Sequence, residues 1–208
     1  MSPTTKGNVT PAILYLFGGM FLSLPMEAKI TITGDLGSGK SAVSRILKER
    51  LGFEIYSTGK VQREIAARYG MTTLELNQFA EKNPEIDDEI DSVFKKLNVR
   101  EEGLIVDSRM AWHFMPASYK VFLMVPVEVA ARRIMSDPNR KSEEYRTIEE
   151  AVTKLIARKS SENQRFLDVY QVDCTNPGNF DLAVNTSNLR PEQVAETIIA
   201  GFEIWKKG

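Results

Sequence analysis

Short apolar stretches alternate with longer segments of helical periodicity along most of the chain. The strand-like stretches are residues 29–33, 53–56, 103–107, 120–125 and 181–185. Apolar side chains recur at helical spacing in the segments between them. This alternation is typical of a parallel sheet covered by helices on both faces, so the sequence predicts an α/β fold with five strands.

Several helix ends can be read from local signals. Residues 41–51 repeat apolar side chains before Gly52, a residue that suits a helix C-terminus. Two pairs have the spacing of a capping box and predict helix starts: Thr72 with Glu75, and Thr147 with Glu150. The helix after Thr147 is predicted to run to about Tyr170, and residues 191–207, which open with proline, predict a last helix packed on the sheet.

The strongest chemical signal lies between the first strand and the first helix. Gly34-Asp35-Leu36-Gly37-Ser38-Gly39-Lys40-Ser41 matches the phosphate-loop pattern G-x-x-x-x-G-K-[ST] in full. The glycines let consecutive N–H groups point at phosphate oxygens, and the helix that follows adds its positive dipole end. The predicted ATP-binding residues are Gly34, Gly37, Ser38, Gly39, Lys40 and Ser41. Lys40 is expected to act on the β- and γ-phosphates during catalysis, and Ser41 to bind Mg²⁺.

A phosphate loop alone indicates a nucleotide but not a reaction. A GTPase would need an N-K-x-D element, which Asn185-Thr186-Ser187 does not supply. A large oligomeric motor would need a longer chain than 208 residues. A short-chain kinase with ATP as phosphoryl donor and Mg²⁺ as cofactor is therefore the leading interpretation.

Length and charge restrict the partners. The 208 residues suit one compact unit, and 27 basic residues against 28 acidic ones leave no excess of positive charge for a nucleic-acid groove. The single cysteine, Cys174, excludes an intrachain disulfide and favours a reducing cytoplasm. We expect small-molecule partners, no nucleic acid, no membrane and a monomer.

The N-terminal segment is the exception to this picture. Residues 12–24 form an apolar run that is too short to span a bilayer as a helix. Its flank is weakly basic and no clear cleavage site follows, so we favour a translation start at Met26 over a signal peptide. Residues 1–25 are then an apolar leader outside the fold, and 26–208 the kinase domain. A membrane-tethered protein stays an alternative if the leader is retained.

Two arginines follow predicted strands at the edge where open α/β sheets bind ligands. Arg63 ends the stretch Ser57-Thr58-Gly59-Lys60-Val61-Gln62-Arg63, and Arg109 comes two residues after Asp107. Both suit an anionic acceptor, and Asp107 suits Mg²⁺ bound through water. The competing interpretation is that either arginine is a solvated surface charge.

A later segment is rich in basic side chains: Arg132, Arg133, Arg140, Lys141, Arg146, Lys154, Arg158, Lys159 and Arg165. Arg158 and Arg165 are seven residues apart and share one face of a continuous helix. We expect them to close over the phosphates as a lid, with Glu162 between them tethering both. An exposed helix with many salt bridges is the alternative, favoured by neighbouring glutamates.

Taken in order, these motifs resemble the cytidylate kinases, specifically their short branch, over roughly residues 28–203. The motifs are G-x-x-G-S-G-K-S, S-T-G-x-x-x-R, D-x-R, R-x-x-x-E-x-x-R and D-L-x-x-N-T-S, together with the I-D-x-x-I-D pattern at 86–91. The resemblance implies a P-loop NTPase fold with five parallel strands, a helical insert at 57–100 that binds the nucleoside monophosphate, and a lid at 136–168.

By position, the resemblance assigns roles to individual residues. Residues 34–41 would hold ATP and Mg²⁺, with Asp107 as a second metal residue. Ser57, Gly59, Arg63 and Arg109 would bind CMP, while Arg158 and Arg165 would stabilise the transferring group. The implied reaction converts CMP or dCMP to CDP or dCDP. The alternatives are another small acceptor (AMP, UMP or a shikimate-like alcohol) and an ATP-binding module without transfer activity.

Overall fold

Five parallel strands form one sheet in the order β2-β3-β1-β4-β5. The computed structural model of the chain describes residues 28–71, 73–80, 82–137 and 145–208. The strands are β1 (Lys29–Gly34), β2 (Glu54–Ser57), β3 (Leu104–Asp107), β4 (Tyr119–Met124) and β5 (Leu182–Asn185). The predicted α/β fold is confirmed, and each predicted strand begins and ends within one residue of the observed one.

Helices connect the strands and cover both faces of the sheet. They are α1 (Lys40–Leu51), α2 (Thr58–Arg68), α3 (Thr73–Ala80), α4 (Pro84–Asn98), α5 (Ala111–Phe114), α6 (Val127–Met135), α7 (Ile148–Tyr170) and α8 (Pro191–Trp205), with a 3₁₀ turn at Pro177–Asn179. The helix starts and ends that were predicted for α1, α7 and α8 are close to those observed. The sequence signals left α2, α4, α5 and α6 undetected.

Local capping explains two of the helix ends. Gly52 takes a left-handed conformation with φ 71°, and its N–H donates to the Lys48 carbonyl at the end of α1. The Thr147 hydroxyl accepts a hydrogen bond from the Glu150 N–H at 3.1 Å, as the capping box predicts. The other predicted box involves Thr72, which lies outside the described residues, although α3 does begin at the next position.

The strand register aligns the carboxyl ends of the central strands. Ile32 of β1 lies opposite Asp107 of β3, and Ser57 of β2 lies opposite the same Asp107. On the other side of β1, Gly34 lies opposite Leu123 of β4. The phosphate loop, the end of β2 and the end of β3 therefore meet at one edge of the sheet, where open α/β sheets bind their ligands.

The main apolar cluster lies between the sheet and the helices α1 and α8. It includes Ile30 and Ile32 of β1, Leu123 of β4, Leu47 of α1 and Phe202 of α8, none of which has measurable solvent exposure. The opposite face of the sheet is covered by aromatic side chains around α5 and the 3₁₀ turn. These two layers hold the strands in place.

A smaller apolar cluster lies within the helices between β2 and β3. It consists of Ile65 and Ala66 of α2, Leu76 and Ala80 of α3, and Ile86 of α4. These helices occupy most of the predicted acceptor segment 57–100. Part of the predicted lid, residues 138–144, lies outside the described residues, and its second half is α7.

Within the described ranges, no helix has both the length and the apolar character needed to cross a membrane. The predicted leader, residues 1–25, lies outside the described residues.

Phe202 provides a test of the main cluster. Its ring lies 6.0 Å from that of Phe53 and 5.7 Å from that of Tyr119. Phe202→Ala should lower the free energy of unfolding by about 3–5 kcal/mol, because a fully buried aromatic side chain leaves a cavity. Urea denaturation followed by circular dichroism measures the change.

Ile204, on the same helix, is 74 % exposed and serves as the control. Ile204→Ala should change the free energy of unfolding by no more than about 0.5 kcal/mol. Equal losses for the two variants would contradict the assignment of the core.

Candidate active site

The phosphate loop closes onto the backbone of β4 and α6. Gly34 has φ 146°, and a Cβ atom added there would lie 2.2 Å from the Leu123 carbonyl oxygen. Gly37 has φ 73°, and its added Cβ would lie 2.9 Å from the Ala130 Cα. Both positions therefore need glycine, for conformation and for space. This is the physical reason for two of the predicted ATP-binding glycines.

Lys40 folds back into the loop that precedes it. Its Nζ donates to the Gly34 carbonyl at 2.9 Å and to the Asp35 carbonyl at 2.8 Å. The ammonium is thus held beside the backbone N–H groups that the motif offers to phosphate. Among the described residues, the buried Ser38 hydroxyl hydrogen-bonds to no protein atom, which suits a loop that receives ligand oxygens.

The two predicted metal residues are in contact. The Ser41 side chain, at the start of α1, lies close enough to Asp107, at the end of β3, to lower the pKa of its carboxyl by hydrogen bonding. Burial raises the pKa of the Asp107 carboxyl above its usual range, while Lys40, the Ser41 hydrogen bond and Arg109 act in the opposite direction. A carboxylate beside a hydroxyl supplies the hard oxygen ligands that Mg²⁺ prefers, so these residues fit the predicted ion.

The predicted acceptor residues after β2 also lie together. A Cβ atom added at Gly59 would be 3.5 Å from Arg63 Nη1 and 3.6 Å from Ser57 Oγ. The first turn of α2 therefore gathers a hydroxyl and a guanidinium around a residue without a side chain. Because Ser57 pairs with Asp107 in the sheet, this group faces the same edge as the metal residues.

Helix α7 places its charged side chains against three other elements, which corrects one expectation. Glu162 contacts Arg158 at 2.9 Å, as expected, but its second partner is Arg109, at 2.5 Å, and not Arg165. The spacing alone allows Glu162 to pair with either arginine, since each is within one turn of it. Arg165 pairs with Asp87 of α4 instead.

The alternative of a fully solvated helix does not describe these contacts. The side chains of Arg109, Glu162 and Arg165 are each no more than 25 % exposed. Ion pairs at this depth are screened less than surface pairs. The outer pair of the same helix, Lys154 with Glu150, does fit the solvated interpretation, since Lys154 is 56 % exposed.

Arg133 of α6 has a role that the sequence did not reveal. Its guanidinium donates to the carbonyl oxygens of Gly37, Thr186 and Ser187 at 3.3, 2.7 and 3.1 Å, respectively. It therefore fastens the phosphate loop to the loop after β5. In the sequence, Arg133 was one of several basic residues with no feature to distinguish it. Its partner Thr186 is 53 residues away, so no local sequence pattern could predict the contact.

Two adjoining cavities of about 340 and 410 Å³ lie between α7 and the carboxyl ends of the strands. Both are lined by Asp35 of the phosphate loop, Arg109, and Lys159 and Asn163 of α7. The site thus combines a phosphate loop, two residues suited to Mg²⁺ and the arginine Arg109 beside open space.

This combination of fold and site defines a P-loop kinase, an ATP-dependent phosphotransferase. Residues 29–188 match the model of the cytidylate kinase-like family, and the chain belongs to that family. The resemblance to the cytidylate kinases, predicted from the motifs, is confirmed.

Individual relatives agree with this assignment. The chain is 33 % identical to the cytidylate kinase of Methanobrevibacter smithii, over 84 % of this chain and 98 % of that protein. It is 36 % identical to the cytidylate kinase of Archaeoglobus fulgidus, over 86 % of this chain and 96 % of that protein. It also matches an S-adenosylmethionine-dependent nucleotide dehydratase of Lacinutrix mariniflava at 36 % identity, over 86 % of this chain but only 36 % of that protein.

Among solved structures, the shikimate kinase of Bacteroides thetaiotaomicron superposes with a TM-score of 0.54 at 16 % identity. The match covers 87 % of this chain and 99 % of that one. At this identity the likeness concerns the fold, which both chains share.

Asp107 yields a prediction about stability and pH. A carboxyl whose pKa is raised on folding binds more protons in the native state, so the native state loses stability as pH rises above the ordinary value of 3.8. Asp107→Asn removes this cost and should raise the free energy of unfolding at pH 7 by about 1 kcal/mol. The advantage should shrink as pH falls towards 4.

Urea denaturation at pH 7, 5.5 and 4 measures this difference. Asp88→Asn, at an exposed position on α4, is the matched control and should show no comparable gain. An Asp107→Asn variant that is no more stable than the original chain at pH 7 would refute the burial argument.

Proposed function

We propose that the chain transfers the γ-phosphoryl group of ATP to CMP or dCMP, giving ADP and CDP or dCDP. The observation that carries this proposal is the meeting of an intact phosphate loop with Ser57, Arg63 and Arg109 at one sheet edge. Relatives that span nearly the same length carry the name cytidylate kinase, which supports the choice of acceptor.

The transfer requires positioning and charge neutralisation more than covalent chemistry. An oxygen of the acceptor phosphate forms a bond to the γ-phosphorus, and the bond from that phosphorus to the bridging oxygen of ADP breaks. Lys40 acts on the β- and γ-phosphates from within the loop. Arg63 and Arg109 hold the acceptor phosphate, so that its oxygen faces the γ-phosphorus.

Arg158 and Arg165 act on charge that develops during transfer. Arg158 and Arg109 already converge on one carboxylate, that of Glu162, and this convergence holds two cations close together. Such a pair is prepared for anionic oxygens without further ordering of side chains. Arg165 is the more distant of the two lid arginines, and its pair with Asp87 links it to the acceptor insert.

Ser41 and Asp107 would hold Mg²⁺, which supplies positive charge to the β- and γ-phosphate oxygens when bound. The partners in this proposal are ATP and a nucleoside monophosphate, with no nucleic acid and no membrane. The proposal includes a monomeric protein working in the cytoplasm, in keeping with its one buried cysteine, Cys174.

Two other functions use the same fold. A different acceptor (AMP, UMP or a shikimate-like alcohol) would keep the donor site and change the residues that meet the acceptor. The likeness to shikimate kinases extends to the fold only, so it does not favour that acceptor. An ATP-binding module without transfer would need the phosphate loop, but it would not need Arg109 and the lid residue Arg158 held together by one carboxylate.

The direct test is turnover with a panel of acceptors. The purified chain is incubated with MgATP and CMP, dCMP, UMP, AMP, GMP or shikimate, and ADP is measured. We expect turnover with CMP or dCMP well above the others, and Lys40→Met should reduce it by at least about 100-fold, because a charged group at the transferring phosphate is lost.

A Lys40→Met variant that keeps its circular dichroism spectrum shows that the loss is chemical. Turnover with another acceptor would refute the CMP assignment while keeping the kinase. Binding of ATP without turnover on any acceptor would favour the module.

Substitutions of Arg109 and of the two lid arginines should alter different steady-state constants. Arg109→Met should raise the KM for the acceptor about tenfold or more with a small effect on the KM for ATP, because Arg109 binds the acceptor phosphate. Arg158→Met and Arg165→Met should mainly lower kcat, because their charges act in the transition state.

Arg132→Met, an exposed arginine on α6, is the control and should alter neither constant. An effect of Arg109→Met confined to ATP would contradict its assignment to the acceptor. Unchanged kcat in both lid variants would instead favour the alternative that α7 is an exposed helix with salt bridges and no role in transfer.

A further inference from the structure

Asp35, the second residue of the phosphate loop, forms hydrogen bonds through its N–H, its carbonyl and both carboxylate oxygens. Its N–H donates to the Leu123 carbonyl at 2.9 Å, and one carboxylate oxygen accepts the Val125 N–H at 3.0 Å. The other carboxylate oxygen accepts from Lys159 Nζ of α7 at 2.7 Å. Its carbonyl oxygen accepts from Lys40 Nζ. A position that the loop motif leaves unconstrained thus joins the loop to β4 and to α7.

The charge of Asp35 is unfavourable for the ligand of this loop. Its carbonyl accepts a hydrogen bond at 2.8 Å from the Lys40 ammonium that the motif directs to phosphate. Asp35 also lines both cavities beside the loop, so a negative charge stands at the edge of the space offered to ATP. The side chain is only 14 % exposed, and water therefore screens it poorly. A fixed carboxylate at such a place repels the polyphosphate of ATP unless a cation compensates it.

We infer that Lys159 is a positioning residue of the donor site, which neutralises Asp35 and holds α7 against the phosphate loop so that ATP can bind. The inference rests on the proposed use of ATP as donor. Lys159 is suited to this role because it lines both cavities beside the loop, and its ammonium meets a carboxylate whose other oxygen is already fixed by the backbone.

The position of Lys159 on α7 gives the contact a second consequence. Arg158 is the neighbouring residue, and Glu162, one turn further on, contacts Arg109 at the end of β3. The helix is therefore attached at the loop by Lys159 and at the sheet edge by Glu162. Two attachments about one turn apart fix both the rotation and the height of the helix, and with them the direction of Arg158.

If Lys159 compensates the charge of Asp35, then removing that charge should restore the ATP affinity that Lys159→Met loses. A purely structural role of Lys159 does not predict this recovery. Lys159→Met removes the cation that pairs with the Asp35 carboxylate, and should weaken ATP binding about tenfold. Asp35→Asn removes the charge but keeps an amide oxygen to accept the Val125 N–H. The double variant Asp35→Asn/Lys159→Met should therefore bind ATP more tightly than Lys159→Met alone, within about threefold of the original chain.

Isothermal titration of the full chain with ATP in the presence of MgCl₂ measures these affinities without depending on turnover. Lys154→Met is the matched control, since Lys154 lies on the same helix and pairs with Glu150 at 2.7 Å, away from the loop. It should bind ATP as the original chain does.

A double variant that binds ATP as weakly as Lys159→Met would overturn the compensation, and so would a Lys159→Met variant with unchanged affinity. Failure of the proposed function is distinguishable, because it appears as absence of CMP turnover in the original chain. The dissociation constants for ATP are still measurable in that case.

Discussion

The backbone of the phosphate loop lies directly against the backbone of β4, and the rest of the site depends on this contact. Gly34 pairs in register with Leu123, and the next N–H donates to the Leu123 carbonyl at 2.9 Å. The absence of a side chain at Gly34 makes the approach possible. Because the loop leaves the sheet at this fixed point, α1 begins beside β3, and Ser41 meets Asp107.

Helix α7 extends the same frame to the acceptor side. Along one helix, Lys159 contacts the phosphate loop, Glu162 the end of β3, and Arg165 and Tyr170 the helix α4. Lys159 and Tyr170 are 11 positions apart, which corresponds to about 17 Å along the helix at a rise of about 1.5 Å per residue. A single rigid element thus touches the donor loop, the sheet edge and the acceptor insert, so that their separations are set by the helical rise.

The last of these contacts involves an unusual carboxyl. Burial, together with the neighbouring Asp87 and Asp88, raises the pKa of Asp91 to about 6, although its hydrogen bond from Tyr170 opposes the shift. Asp91 and Asp87 are one turn apart on α4, and both face α7. These contacts between α4 and α7 are therefore polar, whereas the helices of the insert pack on one another through apolar side chains.

Local signals predicted much of this structure. The strands, the phosphate loop and the Thr147 cap depend on residues close in sequence, so their patterns were sufficient. Helix α2 was undetected because it begins directly after β2 at Thr58, with no loop or capping signal between them. The partners of Arg133, Arg165 and Lys159 were unpredictable for another reason, since each lies more than 50 residues away and only the folded chain brings them together.

The separate apolar cluster of the insert, in α2, α3 and α4, has a consequence for how the molecule opens. Its buried residues are distinct from those that join the sheet to α1 and α8. The free energy of local opening reflects the contacts that are broken. The second half of α4 stays with the sheet, because Phe94 and Leu97 are buried against Leu104 and Val106 of β3. Helices α2 and α3, with the first turn of α4, can therefore open as one cooperative unit while the hydrogen bonds of the sheet stay intact. Their amide hydrogens exchange with solvent before those of β1 and of the second half of α4.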